Sequence, residues 1–518
     1  MEKPDATGFM NRRQLLQSAA ASALLISFPG TGGCSSLPKY RQVIAGEGKA
    51  LILINGQVID VVSGDVQRGK TIVIRNGVIE AVTDEAPVAQ NGQLVYDLKY
   101  QYVIPGLIDA HCHTTLTSES RFDLFGALTT YGQIKRNYFQ QFAHGVTTVR
   151  DMGAMPKLLS DAIRMIERHE LIGPRVIYCN AFTNLYRSHP DIDPGDVSIF
   201  SGMAIPFIGN PNLWFKDTDE LKKKMAQNSA GGASFIKLTM DSQSVMCGLG
   251  KIPVYADEHL HIIREFARER NLSMAGHVHT KFGFDRAVQH GLDSIEHSLG
   301  DARLSDEEVL GMAKKQIAIV PTMIVAQMLA AEEAYAELPP LYRTDFIAAE
   351  MADRRQYLKS CTDQDIDPDI HRANMASLIN FQKYGCENLY RQGKFMARPD
   401  LYFSILLHGP ANLMKMKQAG ILIGCGTDSG VPYLYHGTLW REMEMLSRIG
   451  FTNKEILQCA TINNARILRL ADKIGTIEKG KFADLAVFKK NPLEKIEACR
   501  SPELVIKDGR VYDVTQKT

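Results

Sequence analysis

The sequence predicts an α/β fold whose main part is a (β/α)₈ TIM barrel, flanked by a small β-sandwich domain built from both chain ends. From Leu107 onward, eight short apolar runs alternate with amphipathic stretches of helical period. Alternating strand patterns with turn residues stand before and after this region. We therefore assign residues 46–106 plus 473–518 to the β-domain and 107–472 to the barrel.

The eight apolar runs are the predicted barrel strands. They are residues 107–113, 146–151, 174–180, 234–239, 272–278, 293–297, 317–322 and 421–427. One connection, at about 325–413, is far longer than a normal barrel loop, and much of it is helical in pattern and charged. We expect a helical insertion there. It would either cover the site or bind a partner, or it would be a solvated decoration.

The predicted β-domain is recognised by its turns. Asn55-Gly56 and Asn76-Gly77 interrupt alternating strands near the amino terminus, and Asp508-Gly509 does so near the carboxyl terminus. Asn-Gly and Asp-Gly favour type I′ hairpins, because both central residues of that turn need positive φ. The sequence thus predicts hairpins at all three places.

Composition and charge exclude several classes of partner. Hydrophobic residues make up 45% of the chain and charged residues 23%, and the formal net charge is +1. This balance gives no basis for binding nucleic acid or an anionic membrane. We expect a small-molecule substrate and no nucleic acid, and a homo-oligomer stays open.

Residues 1–34 have the pattern of an export signal. Arg12 and Arg13 precede an apolar run, Ser18 to Phe28, that is too short to span a bilayer. The segment resembles a twin-arginine signal, which predicts export to the periplasm or cell envelope of a bacterium. Because Gly33-Cys34-Ser35 resembles a lipoprotein processing site, a lipid anchor at Cys34 is the alternative.

Residues of the kinds that bind metals stand at the ends of several predicted strands. His111 and His113 close the first strand, and side-chain alternation places both on one face. Catalytic residues of a (β/α)₈ barrel come from the carboxyl ends of its strands. Further candidates close strands 4, 5, 6 and 8: Lys237, His277, His297 and Asp428. These six residues predict one metal site.

This order of ligands resembles the amidohydrolase superfamily, in particular its binuclear-metal branch. The resemblance extends to residues 103–113, 144–151 and 475–485, and it covers nearly all of the mature chain except the insertion. Within the superfamily, Gly173-Pro-Arg-Val and residues 275–279 and 291–297 look like the imidazolonepropionase-like group. That group includes Xaa-Pro and Xaa-Arg dipeptidases and prolidases.

The resemblance implies two divalent metal ions, and imidazole, carboxylate and carbamate donors suit zinc. His111 and His113 would hold one ion, and His277 and His297 the other. Lys237 would be carboxylated and would bridge both ions. A lysine near cations loses its proton more readily, which leaves the neutral amine that carboxylation needs.

The resemblance also implies a mechanism. A hydroxide that bridges the ions would attack the amide bond of a dipeptide or an N-acyl amino acid. Asp428 would bind the first ion and pass a proton to the leaving amine. His189, after strand 3, stands where this group often has a carbonyl-polarising histidine. His279 shares a strand face with His277 and would contact substrate or support a ligand.

Two other functions are consistent with the same residues. A cyclic amide or a lactone could be hydrolysed by the same binuclear site. A non-catalytic binding relative is less well supported, because such proteins tend to lose ligands and this chain keeps all six. A mononuclear deaminase is disfavoured, since that branch does not need Lys237 and has a glutamate after the strand 5 histidine.

Overall fold

The computed structural model describes residues 41–44, 50–85, 92–119, 124–189, 209–210, 212–243, 251–330, 338–378 and 400–515. The predicted export signal at 1–34, with Cys34, and part of the predicted insertion lie outside the described residues. Within the described ranges, no helix is both long and apolar enough to cross a membrane.

Strands from both chain ends form one nine-stranded sheet. They are β1 (Arg41–Ile44), β2 (Leu51–Ile59), β3 (Val66–Arg75), β4 (Val78–Thr83), β5 (Leu94–Asp97), β6 (Tyr102–Pro105), β14 (Leu485–Phe488), β15 (Leu504–Lys507) and β16 (Arg510–Asp513). Their order is β1-β16-β15-β14-β6-β2-β3-β4, and β5 also pairs with β2. Leu53, Val103, Leu485 and Ile506 pack in one apolar cluster on this sheet. A two-layer sandwich stays a prediction.

Two of the three predicted hairpin turns are confirmed. Asn76-Gly77 joins β3 to β4, Asp508-Gly509 joins β15 to β16, and all four residues have positive φ. The prediction for Asn55-Gly56 is wrong, because this pair lies inside β2 at a shift in the register with β3. There β2 changes partners: its first half pairs with β5, and its second half pairs with β6. Only Asn55 has positive φ, so the pair forms a bulge.

Seven parallel strands lie between the two parts of that sheet. They are β7 (Leu107–Cys112), β8 (Val146–Asp151), β9 (Arg175–Tyr178), β10 (Phe235–Thr239), β11 (Ser273–His277), β12 (Ser294–Glu296) and β13 (Ala318–Val320). They pair in the orders β7-β8-β9 and β10-β11-β12-β13. Each coincides with one of the first seven predicted barrel strands.

Helices follow or separate these strands. The described ones are Leu124–Ala143, Pro156–Glu167, Thr218–Ala230, Asp257–Glu269, Lys281–Gln289, Asp306–Lys314, Met323–Leu329, Asp345–Ser360, Pro368–Ser377, Asp400–Gln418, Leu439–Ile449, Asn453–Gln458 and Asn464–Ile467. Local sequence explains several starts. At Asp306, the Ser305 hydroxyl accepts the Glu308 N–H and the Glu308 carboxylate accepts the Ser305 N–H, which is a capping box.

Backbone hydrogen bonds link the two parallel sheets in two places, directly between β9 and β10 and through the eighth segment between β13 and β7. The Ser234 N–H donates to the Tyr178 carbonyl at 2.8 Å, which joins the start of β10 to β9. The Gly424 N–H donates to Ile319 of β13 at 2.8 Å, and the Ala110 N–H of β7 donates to Cys425 at 3.0 Å. Eight parallel segments therefore follow one another in an α/β arrangement of the TIM-barrel type.

The eighth segment differs from the predicted strand at 421–427. It has isolated bridges, including one from Ile423 to β13, and no continuous strand over that described range. The side chain of Asn464 explains the interruption. Its Oδ1 accepts the Cys425 N–H at 3.0 Å, and its Nδ2 donates to the carbonyls of Ile108 and Cys425. A side chain thus replaces part of the strand pairing.

One described helix of the region predicted at 325–413 lies on two loops at the carboxyl ends of the strands. In this helix, Pro368–Ser377, the Asn374 Nδ2 donates to the Ser118 carbonyl at 2.8 Å and to the Tyr435 hydroxyl at 3.1 Å. Ser118 follows β7, and Tyr435 follows the eighth segment. The helix therefore ties together the loops that come after the first and last segments.

Candidate metal centre

The carboxyl ends of the parallel segments bring four predicted ligands close together. His111 lies at the end of β7, His277 ends β11, His297 follows β12, and Asp428 follows the eighth segment. All are buried. Ligand atoms lie within 4.8 Å of one another in each of two groups: His111, His297 and Asp428, and then His277, His279 and His297.

The predicted ligands share an acidic centre. Asp428 Oδ1 lies 3.0 Å from His113 Nε2 and 3.2 Å from His111 Nε2. Burial would raise the pKa of Asp428, but His111 and His113 hold it below its ordinary value. The carboxyl group is therefore ionised and can act as an anionic ligand.

Several buried polar atoms of this cluster have no hydrogen bond within the described part of the chain. They are His111 Nε2, Lys237 Nζ, His277 Nε2 and Asp428 Oδ1. The close approaches of His111 and His113 to Asp428 Oδ1 lack hydrogen-bond geometry and are contacts only. Leaving a buried polar atom unpaired costs about 1–3 kcal/mol. A divalent cation would satisfy such donors, and nitrogen and oxygen donors of this kind fit one. The residues present therefore fit a metal site.

Three histidines are oriented through Nδ1, which leaves Nε2 available for a metal. The Nδ1 partners are Glu296 Oε2 for His111 at 2.9 Å, the Gly153 carbonyl for His113 at 2.8 Å, and Thr322 Oγ1 for His297 at 2.8 Å. Such second partners fix ring orientation and tautomer at metal sites. Burial also lowers the pKa of His277 and His297 well below the ordinary value, and metal binding needs the neutral ring.

Lys237 lies in β10, beside β11, and is almost fully buried. Burial lowers its pKa to about 8, although Glu296 and Asp428 oppose the shift. An ordinary lysine has a pKa near 10.4 and is almost entirely charged at neutral pH. A larger fraction of Lys237 is therefore present as the neutral amine, the form that reacts with carbon dioxide.

Sequence reasoning missed the buried pair of Glu296 and Arg150. The Arg150 Nη2 donates to Glu296 Oε1 at 2.6 Å, and the Ser294 hydroxyl donates to the same oxygen at 2.5 Å. Burial would raise the pKa of Glu296, but Arg150 and His111 lower it to about 2. The one sequence signal was that Glu296 directly precedes the predicted ligand His297. Side-chain alternation along a strand would place these two residues on opposite faces, so this signal did not indicate that Glu296 contacts a ligand.

Two predicted ligands have left-handed backbone conformations. The φ angles are 75° at His297 and 57° at Asp428. For non-glycine residues this conformation costs about 1–3 kcal/mol each, and it occurs often at functional sites. Hydrogen bonds hold both residues: the His297 N–H donates to Val320 at 2.9 Å and the Asp428 N–H donates to His111 at 2.7 Å.

His189 and His279, the two further predicted histidines, both lie against the cluster. The His189 ring stacks on His277 with centroids 4.2 Å apart. The His279 ring lies 4.8 Å from His277 and 4.6 Å from His297, and its Nδ1 lies 3.3 Å from the Ser298 carbonyl. Burial lowers the pKa of His189 to about 3 and that of His279 to about 4, so both rings are neutral. Their roles stay predictions.

Asp241 is a further residue that sequence reasoning did not identify. Its Oδ2 accepts the His279 N–H at 2.7 Å, and its Oδ1 accepts the Thr280 N–H at 3.1 Å. Burial raises its pKa to about 7, against these hydrogen bonds. Asp241 therefore fixes the turn after β11, and its Oδ2 lies 3.8 Å from His277 Nε2.

The chain is similar in sequence or in fold to several known proteins. An uncharacterized protein of Mycobacterium tuberculosis is 24% identical over 416 residues, which are 79% of this chain and 85% of that protein. A Xaa-Pro dipeptidase crystallised with methionine in its active site is 23% identical, with a TM-score of 0.63, over 90% of this chain and all of that chain. The ochratoxinase of A. niger is 19% identical, with a TM-score of 0.60, over 89% and 95% of the two chains.

The model of the Amidohydrolase family matches residues 102–512, which contain all six predicted ligands. The structural similarities just described agree with that match in fold. The chain belongs to the amidohydrolase family and is a hydrolase that acts on carbon–nitrogen bonds.

Proposed function

We propose that the protein is a two-metal hydrolase that cleaves the amide bond of a dipeptide or an N-acyl amino acid. The observation that carries the proposal is the set of buried donor atoms around Asp428, several of them without a hydrogen bond among the described residues. The proposal takes the eight parallel segments as a closed barrel and the nine-stranded sheet as a sandwich beside it.

In this proposal, His111, His113 and Asp428 hold one ion, and His277 and His297 hold the second. Lys237, once carboxylated, would be a ligand of both ions, and its lowered pKa of about 8 favours that modification. The position of His279 beside both His277 and His297 makes it an additional candidate near the second ion. Zinc suits the imidazole and carboxylate donors, and manganese or cobalt could replace it.

When bound, the two ions supply a water of lowered pKa and a Lewis acid for the amide carbonyl. Asp428 contacts both histidines through Oδ1, so we assign proton transfer to Oδ2. That oxygen accepts the proton of the attacking water and returns it to the leaving amine. His189 is neutral and donates a hydrogen bond to the substrate carbonyl oxygen.

The substrate class rests on family resemblance and on structural neighbours. A Xaa-Pro dipeptidase and an ochratoxinase are among the structures of similar fold, and both support an amide substrate. Phe282 is a departure that bears on the choice, because related dipeptidases often have a tyrosine there and Phe282 has no hydroxyl group to donate. A hydroxyl donor for a dipeptide's carboxylate is therefore missing at that position.

A hydrolysis screen followed by mass spectrometry tests this proposal. The mature protein is supplied with zinc and bicarbonate, and the Asp428→Asn variant is the blank. The library contains Xaa-Pro, Xaa-Arg and Xaa-apolar dipeptides, N-acyl amino acids, cyclic amides and lactones. We expect cleavage of dipeptides or N-acyl amino acids by the wild type alone. Cleavage of lactones alone, or no turnover, would contradict the proposed substrate class.

We further propose that the amino-terminal segment directs export to the bacterial cell envelope, because Arg12 and Arg13 precede its apolar run. Replacing both arginines with lysine should keep the protein in the cytoplasm, which cell fractionation measures. A Cys34→Ala variant tests the lipid anchor. If Cys34 is lipidated, this variant should move from the membrane fraction to the soluble fraction.

A further inference from the structure

The helix Met323–Leu329 follows β13 and begins in a dry environment. All seven of its residues are buried. The first N–H groups of any helix lack partners within the helix, and here water cannot supply them. Other groups of the protein must therefore accept those hydrogen bonds.

Thr322 is the N-cap residue of this helix, and a threonine there normally supplies one of these acceptors through its hydroxyl group. An N-cap threonine usually accepts the N–H of the second or third helical residue. Thr322 forms no such bond, and its backbone is left-handed with φ 41°. Its hydroxyl instead lies 2.8 Å from His297 Nδ1.

Glu442 accepts the hydrogen bonds that Thr322 does not. It belongs to the helix Leu439–Ile449, after the eighth segment, and is fully buried. Its Oε1 accepts the Met323 N–H and its Oε2 accepts the Ile324 N–H, both at 2.9 Å. Burial raises the pKa of its carboxyl group to about 8, although these two donors oppose the shift. Burial of this carboxyl group is energetically unfavourable, and the hydrogen bonds from these two N–H groups partly offset that cost.

We propose that Glu442 is a positioning residue for His297. By capping the helix Met323–Leu329, it leaves the Thr322 hydroxyl to orient the imidazole, so that His297 Nε2 faces the second ion. The inference rests on the proposed two-metal function. It adds that one ion site depends on a buried carboxyl group that contacts no ligand itself: Glu442 frees Thr322, and Thr322 orients His297.

Zinc affinity, measured by competition with a chromogenic chelator, tests this dependence without relying on turnover. The His277→Asn variant identifies which of the two affinities belongs to the second site. Glu442→Leu leaves two buried N–H groups unpaired, and it should weaken that site by about 10–100-fold, the loss typical of supporting residues at metal sites. The other affinity should stay the same. Glu442→Gln keeps one carbonyl acceptor and should lose less.

Thr322 supplies the second test. Thr322→Val should weaken the same site as Glu442→Leu, and Thr322→Ser should restore it. In the double variant Glu442→Gln, Thr322→Val, the losses should be less than additive, because both changes act through one path. Glu444→Gln is the matched control, since Glu444 lies on the same helix and pairs with Arg500.

The outcomes separate this inference from the proposed function. If the wild type binds one zinc ion or none, the proposed function is wrong. If it binds two ions and Glu442→Leu or Thr322→Val folds with both affinities unchanged, the inference alone is wrong. If Glu442→Leu does not fold, Glu442→Gln and Thr322→Val decide in the same way. Equal weakening of both sites would also overturn the inference, because it would indicate a general loss of structure.

Discussion

His111 Nδ1 lies 2.9 Å from Glu296 Oε2, and neither side chain is exposed. Arg150 holds the other carboxylate oxygen at 2.6 Å. A histidine that is bonded through Nδ1 to an ionised carboxylate presents Nε2 with a lone pair, and the carboxylate increases the basicity of the ring. The pair thus prepares His111 to bind a metal ion before any ion arrives.

Removal of Glu296 should therefore weaken metal binding at His111. We expect Glu296→Ala to reduce zinc affinity by about 10–100-fold, and Glu296→Gln to reduce it less, because the amide can still accept from Nδ1. Isothermal titration with zinc measures the change. Glu308→Gln is the control, since Glu308 caps an exposed helix start. Unchanged zinc affinity in Glu296→Ala would contradict the role given to this pair.

Metal loading should depend on pH through Lys237. Its pKa of about 8 means that the neutral amine, which reacts with carbon dioxide, increases as the pH rises through 8. At a fixed concentration of dissolved carbon dioxide, activation of the metal-free protein by zinc should become faster over this range and be half-maximal near pH 8. Lys237→Arg should not respond to carbon dioxide. A rate independent of pH in the wild type would contradict the carbamate.

His189 should affect turnover more than metal content. It stacks on His277 and, in the proposed mechanism, donates to the substrate carbonyl. We expect His189→Ala to lower kcat by about 10²–10³-fold, the effect of losing one such donor. His189→Asn keeps an N–H donor and should retain more activity. Steady-state kinetics measures the loss, and elemental analysis checks that both variants keep the wild-type metal content. An unchanged kcat would remove His189 from the mechanism.

Asn374 should contribute to stability through the two loops that it joins. Asn374→Ala removes two hydrogen bonds, to the Ser118 carbonyl, which keeps the Tyr433 N–H as a donor, and to the Tyr435 hydroxyl. At about 0.5–1.5 kcal/mol for each bond, the free energy of unfolding should fall by about 1–3 kcal/mol. Urea denaturation measures the change. Arg372→Ala, on the same helix, removes an exposed ion pair with Asp369 and should have an effect of about 0.5 kcal/mol or less. Similar effects in both variants would contradict the proposed anchoring.

The sequence was sufficient to predict the fold class and to name the residues that the structure brings together. His111 and His113 could be found because strand alternation is local, and His277, His297 and Asp428 because each closes an apolar run. Asn76-Gly77 and Asp508-Gly509 form the predicted turns for an equally local reason, since both residues of each turn need positive φ.

What the sequence did not reveal depends on contacts between distant residues. Asn55-Gly56 forms a bulge because β2 changes its partner strand there, and no local pattern records a partner. The eighth segment is interrupted by Asn464, which lies about forty residues later in the chain. Glu296, Arg150 and Glu442 are ionisable residues inside the protein, and only the contacts between distant segments show which groups form hydrogen bonds with them.

Metal stoichiometry is the most direct test of the central claim. The wild-type protein is stripped of metal, reloaded with zinc in bicarbonate, dialysed, and measured by elemental analysis beside Lys237→Ala. The proposed centre predicts two zinc ions per wild-type chain and fewer in the variant, because the bridging ligand is absent. One ion or none in the wild type, or two in both proteins, would contradict a two-metal centre bridged by Lys237.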